Sequence, residues 1–361
     1  MTQTAAFIDN LIVQKHIPYM DVACFRDHKP VFRHFSGEGI CGKELLNMFS
    51  CSKPVTVTAA LRLVEQGALK LDDPVARFFP SATHAVYRTE NGQLLAIKQA
   101  MTVRHLFTMT AGLDYNYTPS AVQQLLEKYP LQANTQQIVD GYLRSPLQFS
   151  PGEKFRYSLC HDVLAGVVEA VSGMRFSKFV EQEIFVPLEM HDSTFNNHPC
   201  RSALEMYKYE VGHILPAEGF VPVCPNYESG GAGLCSTVED YCKFADALAC
   251  DGTASNGYQL LKPETVALMR TEQISGLSIQ NEFTCVQGGD YSYGLGVRVR
   301  TKDTGWGLAP GEFGWDGAAG SYLMIDPNRH ISVVMGMHLR GWPKCFRGDH
   351  LRIVQSLYTE L

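Results

Sequence analysis

Residues 48 to 80 read MFSCSKPVTVTAALRLVEQGALKLDDPVARFFP. The apolar side chains of Ala59, Ala60, Leu63 and Val64 recur at helical spacing, which predicts a helix over 54–66 that Gly67 stops. Pro54 fixes where that helix begins. Deep inside a helix it would deprive the Ser50 carbonyl of its partner, so its least costly place is the first turn. Ser50 then sits at the helix N-terminus, where backbone N–H groups and the helix dipole favour developing negative charge. Residues three apart share a helical face, so Lys53 reaches the Ser50 hydroxyl while Ser52 points elsewhere. A serine hydroxyl needs a neighbouring base to act as a nucleophile, and a lysine whose charged form is disfavoured by burial can serve. The spacing by itself also suits a plain serine N-cap, and about one such pair is expected by chance in a chain of this size.

Outward from this segment, residues 18 to 35 read as two short strands turning at Asp27-His28-Lys29-Pro30. Helical patterns dominate from about 76 to 280, among them Asp162 to Val171 and Val238 to Ala249. Alternation returns in Tyr293 to Arg300, Ser321 to Ile325 and Ile331 to Met337. Strands early and late with helices between predict an α/β (α+β) fold with one antiparallel sheet assembled from both chain ends. The expected organisation is one domain over 1–361. Within it, 1–75 and 281–361 form an α/β part and 76–280 a mainly helical part.

The 361 residues are 45% hydrophobic and 19% charged, with net charge −6 and no run of Lys or Arg. This is globular composition without an electrostatic footprint for nucleic acid. No apolar run is long enough to span a bilayer, and the N-terminus lacks the basic start of a signal peptide. The eleven cysteines fit reduced thiols in a cytoplasmic protein better than a disulfide framework. With no C-x-x-C or H-E-x-x-H, the sequence supports no metal site. The Gly37-Glu38-Gly39-Ile40-Cys41-Gly42 match follows a hairpin strand rather than opening a βαβ unit, and reads as a loop. No serine lies in G-x-S-x-G, which removes the nucleophile elbow of α/β-hydrolases.

The segment 48–80 resembles the serine β-lactamase and penicillin-binding-protein-like family in its class C branch, where Ser, Lys and Pro open a helix followed by a Leu-Asp-Asp-Pro turn. Further stretches match in family order: Met101 to Leu113, Pro151 to Ser158, Pro187 to Met190 and Ser229 to Leu234. The resemblance implies the β-lactamase/transpeptidase-like fold and catalysis by Ser50, Lys53 and Tyr157, with Lys53 lowering the pKa of Tyr157. It also implies an oxyanion hole from the backbone N–H groups of Ser50 and Ala318. Trp315-Asp316-Gly317 stands where the family usually has Lys-Thr-Gly, and Leu159 where β-lactamases have asparagine.

Those departures, at substrate-binding positions Leu159, Trp315, Asp316 and Gly317, make the motifs similar to family VIII carboxylesterases and related acyltransferases. The implied activity is a serine carboxylesterase acting on a small-molecule ester or amide without a cofactor. A β-lactamase or D-amino-acid-specific peptidase, and an acylatable sensor or binding protein, are the alternatives. Loss of the lysine and the charge of Asp316 are expected to disfavour anionic substrates, with Arg340 as a substitute cation. Asp162 and Ser236 are expected as helix-start residues, the latter in a Ser-Thr-Val-Glu capping box. Gly230 to Gly233 is expected to let backbone approach the cleft. His105 and His161 are expected to be structural.

Overall fold

A computed structural model describes residues 2–196, 201–220, 222–279 and 289–361. Near the start lie α1 (Gln3–Lys15), β1 (Tyr19–Arg26) and β2 (Lys29–Gly37). The helix that carries the Ser-Cys-Ser-Lys-Pro segment is α2 (Ser52–Glu65), followed by α3 (Cys160–Ser172) and α4 (Val238–Ala249). Five late strands are β3 (Tyr291–Tyr293), β4 (Arg298–Arg300), β5 (Phe313–Asp316), β6 (Tyr322–Asp326) and β7 (Ile331–Gly336), and α5 (His350–Glu360) closes the chain. The seven strands form one antiparallel sheet in the order β3-β4-β5-β6-β7-β1-β2. β7 pairs with β1 in a register that sets Val22 opposite Met335, so both chain ends build the sheet, as the strand pattern predicts.

Both faces of the central strands are covered, and alternation sorts their side chains between two cores. Met20, Val22, Met324, Val333 and Met335 pack with Ile8 and Leu11 of α1 and Ile353 and Leu357 of α5. Ala23, Leu323, Val334 and Trp315 belong to the other core, which holds α2, α3 and α4. The apolar stripe read on α2 understates its burial, because every residue from Ser52 to Leu61 is buried. A helix enclosed on all sides positions its first turn rigidly. It is stopped where expected, at Gly67 with φ 73°, whose N–H reaches the Val64 carbonyl.

One sequence expectation is corrected here. The alternation from Tyr293 to Arg300 is not one strand: Tyr293 pairs with Arg298, and Gly294 to Val297 turn the chain, with the Gly294 N–H donating to the Val297 carbonyl at 2.9 Å. The mainly helical middle also contains a hairpin, Met206–Glu210 with His213–Ala217, whose first strand lies parallel to Leu339–Arg340. The boundary expected between 280 and 281 lies outside the described residues. Among the described residues no helix is long and apolar enough to cross a membrane.

Candidate active site

Ser50 lies in a single 3₁₀ turn, Phe49–Cys51, that runs directly into α2. Pro54 falls in the first turn of α2, where its missing N–H costs nothing. The residue before Ser50 holds a conformation no sequence rule foretold: Phe49 has φ 47°, unusual for an aromatic side chain and a form of local strain. Its ring packs edge-on against Phe220, centroids 6.2 Å apart.

The two serines of the segment have different tasks. Ser52 is engaged twice by backbone, donating to the Phe49 carbonyl at 2.5 Å and accepting the Leu234 N–H at 2.9 Å. It ties the turn in place. Ser50 Oγ instead accepts from Lys53 Nζ at 3.1 Å and from the Tyr157 hydroxyl at 2.6 Å. Lys53 is fully buried and also donates to the Gly231 carbonyl at 2.7 Å. Its ammonium lies 4.7 Å from the centre of the Tyr157 ring. The structure therefore brings together the three residues expected at the reacting centre.

Tyr157 is sandwiched, with Tyr115 stacked at 5.3 Å on one side and Trp315 at 5.5 Å on the other. The indole N–H of Trp315 also points to its hydroxyl at 3.4 Å. Burial, with Tyr115 beside it, raises the Tyr157 hydroxyl well above its ordinary pKa. Desolvation of the fully enclosed phenol outweighs the hydrogen bonds with Ser50 and Trp315 that favour the phenolate. Sequence reading missed Tyr115, since a tyrosine six residues beyond Met109 in a loop carries no signal of its own.

The third-motif strand β5 ends against the same turn. Ser321 Oγ donates to the Met48 carbonyl at 2.7 Å, and a Cβ on Gly317 would come within 2.3 Å of that carbonyl oxygen. Among the described residues no acceptor is found for the amide of Ser50 or of Ala318. Trp315 faces the site, whereas the neighbouring Asp316 pairs with buried Arg298, Nη1 to Oδ1 at 2.6 Å. Burial raises the Asp316 carboxyl, and the guanidinium pulls it back. The expectation that Asp316 repels anions is corrected accordingly, because its charge is spent on Arg298. Arg340 is exposed, with its guanidinium 5.8 Å from the Phe49 ring centre. Leu159, at the start of α3, lines a cavity of about 180 Å³ with Leu113, Asp114 and Tyr142.

Of the two expected helix-start residues, Ser236 is displaced by one position. Thr237, not Ser236, caps α4, accepting the Asp240 N–H at 3.0 Å, because the β-strand runs through Ser236 and the helix starts one residue later. Asp162 lies in the first turn of α3, at the helix start as expected, but it is fully buried and its Oδ1 accepts from Tyr227 at 2.5 Å and Ser229 at 2.6 Å. His105 joins Thr102 in a capping box, and burial drives buried His161 down to about 3. The glycine run does allow close approach. A Cβ on Gly230 would lie 2.5 Å from the His161 carbonyl, and one on Gly231 2.3 Å from Asp162 Oδ2. Gly231→Ala is therefore expected to destabilise the fold by about 1–3 kcal/mol through overpacking, read as a lower urea midpoint at unchanged slope.

The family description Beta-lactamase matches residues 4–358. The chain belongs to the beta-lactamase family. Its members resembling this chain include serine hydrolases with esterase, acyltransferase and peptidase names. Esterase EstB of Burkholderia gladioli is 27% identical over 320 residues, 81% of this chain and 76% of its own length. Protein Rv1367c of Mycobacterium tuberculosis H37Rv is 29% identical, over 80% of this chain and 76% of its own. The solved structure titled EstCE1, a hydrolase with promiscuous acyltransferase activity, superposes with a TM-score of 0.80 over 99% of this chain and 98% of its own. At 24% identity that likeness establishes the beta-lactamase fold.

Proposed function

We propose that this beta-lactamase family member is a serine carboxylesterase that works through a Ser50 acyl-enzyme. The observation that carries the reading is the triplet of Ser50 Oγ, Lys53 Nζ and Tyr157 OH within 3.1 Å and 2.6 Å, enclosed in the core. Ser50 Oγ attacks the ester carbonyl and its proton passes to the amine of Lys53 in its unprotonated form, with the neutral Tyr157 hydroxyl as the relay. That pair then protonates the departing alkoxide, so the carbon–oxygen bond breaks without releasing a free base. The amides of Ser50 and Ala318 hold the oxyanion, a donor pair of which each is worth roughly 100- to 1,000-fold in rate. Water activated at Tyr157 reverses the sequence and frees the acid.

Leu159, Trp315, Asp316 and Gly317 set substrate choice in this reading. An indole beside the nucleophile offers an apolar wall and no cation, and Leu159 offers no amide to an acylamino side chain, which favours simple esters over β-lactams and peptides. The name of the relative from Burkholderia gladioli agrees. We place the catalytic cleft between the sheet-bearing part of the chain and its helical part. A cytoplasmic location goes with the nine free thiols of the described residues. The test compares turnover of p-nitrophenyl butyrate with that of a chromogenic cephalosporin. The ester is expected to be cleaved at least about 100-fold faster. Faster cephalosporin hydrolysis would instead make the protein a β-lactamase, and a single burst leaving a stable adduct would make it an acylated sensor.

A further inference from the structure

Lys53 is fully buried, and whenever its amine carries the mobile proton that buried charge requires a compensating one. The groups that face it come from four directions. Cys51 precedes its own helix, Cys160, His161 and Asp162 come from α3, and Tyr115 and Tyr157 lie on the loops that close the cleft. Beyond Asp162 stand Tyr117, Tyr142 and Tyr227. Burial pushes Cys51 and Cys160 up to about 12, raises the hydroxyls of Tyr117, Tyr142, Tyr157 and Tyr227, and drives His161 down to about 3. All of these are neutral at neutral pH. Asp316, which acts on Cys51 from the sheet side, is engaged by Arg298.

Asp162 is the carboxylate that is left. Its Oδ1 takes two hydroxyl donors, while Oδ2 is buried and has no hydrogen-bond partner among the described residues. A Cβ on Gly231 would lie 2.3 Å from this Oδ2 and 3.4 Å from Lys53 Nζ, so both side-chain ends crowd the same bare glycine. We propose that Asp162 is a positioning residue, the buried counter-charge that holds the mobile proton on the Ser50–Lys53–Tyr157 cluster. The proposal rests on the serine-hydrolase reading of that cluster and adds the group that sets its working pH.

The sign follows from charge. A carboxylate favours the protonated cluster, whereas attack by Ser50 needs a cluster that can accept a proton. Removing the charge lowers the pH at which the cluster becomes active. In Asp162→Asn the acidic limb of the kcat/KM profile for p-nitrophenyl butyrate is expected to move about one to two units toward lower pH. Ser229→Ala removes one hydrogen bond from the same carboxylate but leaves its charge. A purely structural role would therefore give both variants the same profile. An acidic limb that stays in place in Asp162→Asn overturns the proposal.

Should Asp162→Asn fail to fold, Lys53→Met/Asp162→Leu decides, since removing both charges leaves neither uncompensated. A folded double variant supports the pairing, and an unfolded one overturns it. Ser50→Ala assayed alongside separates the two layers. Turnover that persists without Ser50 removes the hydrolase reading, while Ser50-dependent turnover with an unmoved limb removes only the role of Asp162.

Discussion

Ser50→Ala is expected to lower kcat/KM for p-nitrophenyl butyrate about ten-thousand-fold or more, to near the rate without enzyme. The size of the effect follows from the arrangement: Lys53 and Tyr157 both direct their hydrogen bonds at one oxygen, so deleting it leaves them no nucleophile to serve. Members of such a unit lose nearly everything when one is removed. The fold should survive, because the tie that holds the turn runs through Ser52 and not through Ser50. Mixing with ester and weighing the protein gives the second readout, an acyl adduct in the wild type and none in the variant. Undiminished turnover in a folded Ser50→Ala protein would end the proposed mechanism.

Tyr157→Phe is expected to reduce kcat by about 100- to 10,000-fold, the range for loss of a positioned proton carrier. Phenylalanine keeps the ring between Tyr115 and Trp315 and removes only the oxygen 2.6 Å from Ser50 Oγ. Because binding surfaces persist, KM should change far less than kcat. A variant whose loss appears in KM alone would mark Tyr157 as a wall of the cleft and leave Lys53 as the proton carrier. Circular dichroism and the urea midpoint, expected to stay close to wild type, guard against a trivial loss of structure.

Local rules made the Ser50–Lys53 pair legible. Pro54 and the three-residue spacing choose Ser50 over Ser52, and the geometry of both serines agrees. The hairpin at Asp27 and the late strands were equally legible, since alternation and turn chemistry are short-range. The strand misread at Tyr293 to Arg300 shows the limit: Tyr293, Leu295, Val297 and Val299 are all buried, so the turn between them leaves the pattern in phase. The charge partners were not legible at all. Arg298 lies 18 residues from Asp316, and Asp162 meets Tyr227 and Ser229 more than 60 residues on, distances over which no periodicity speaks. The left-handed Phe49 was also invisible, because aromatic residues carry no preference for that conformation.

The pairing of β1 with β7 has a consequence for synthesis. The amide of Ser50 leaves the ribosome early, but the turn bearing Ala318 and the strand that locks β1 in place emerge roughly 300 residues later, about 15 to 60 s at ordinary elongation rates. Until then β1, paired with β2 on one side, presents one open edge, and so distant a contact makes for slow closure. A nascent or truncated chain can thus hold Ser50 and Lys53 without Ala318. Under the proposed mechanism hydrolysis requires the segment that brings Ala318, so a chain ending before it is expected to be inert and to expose the free edge of β1.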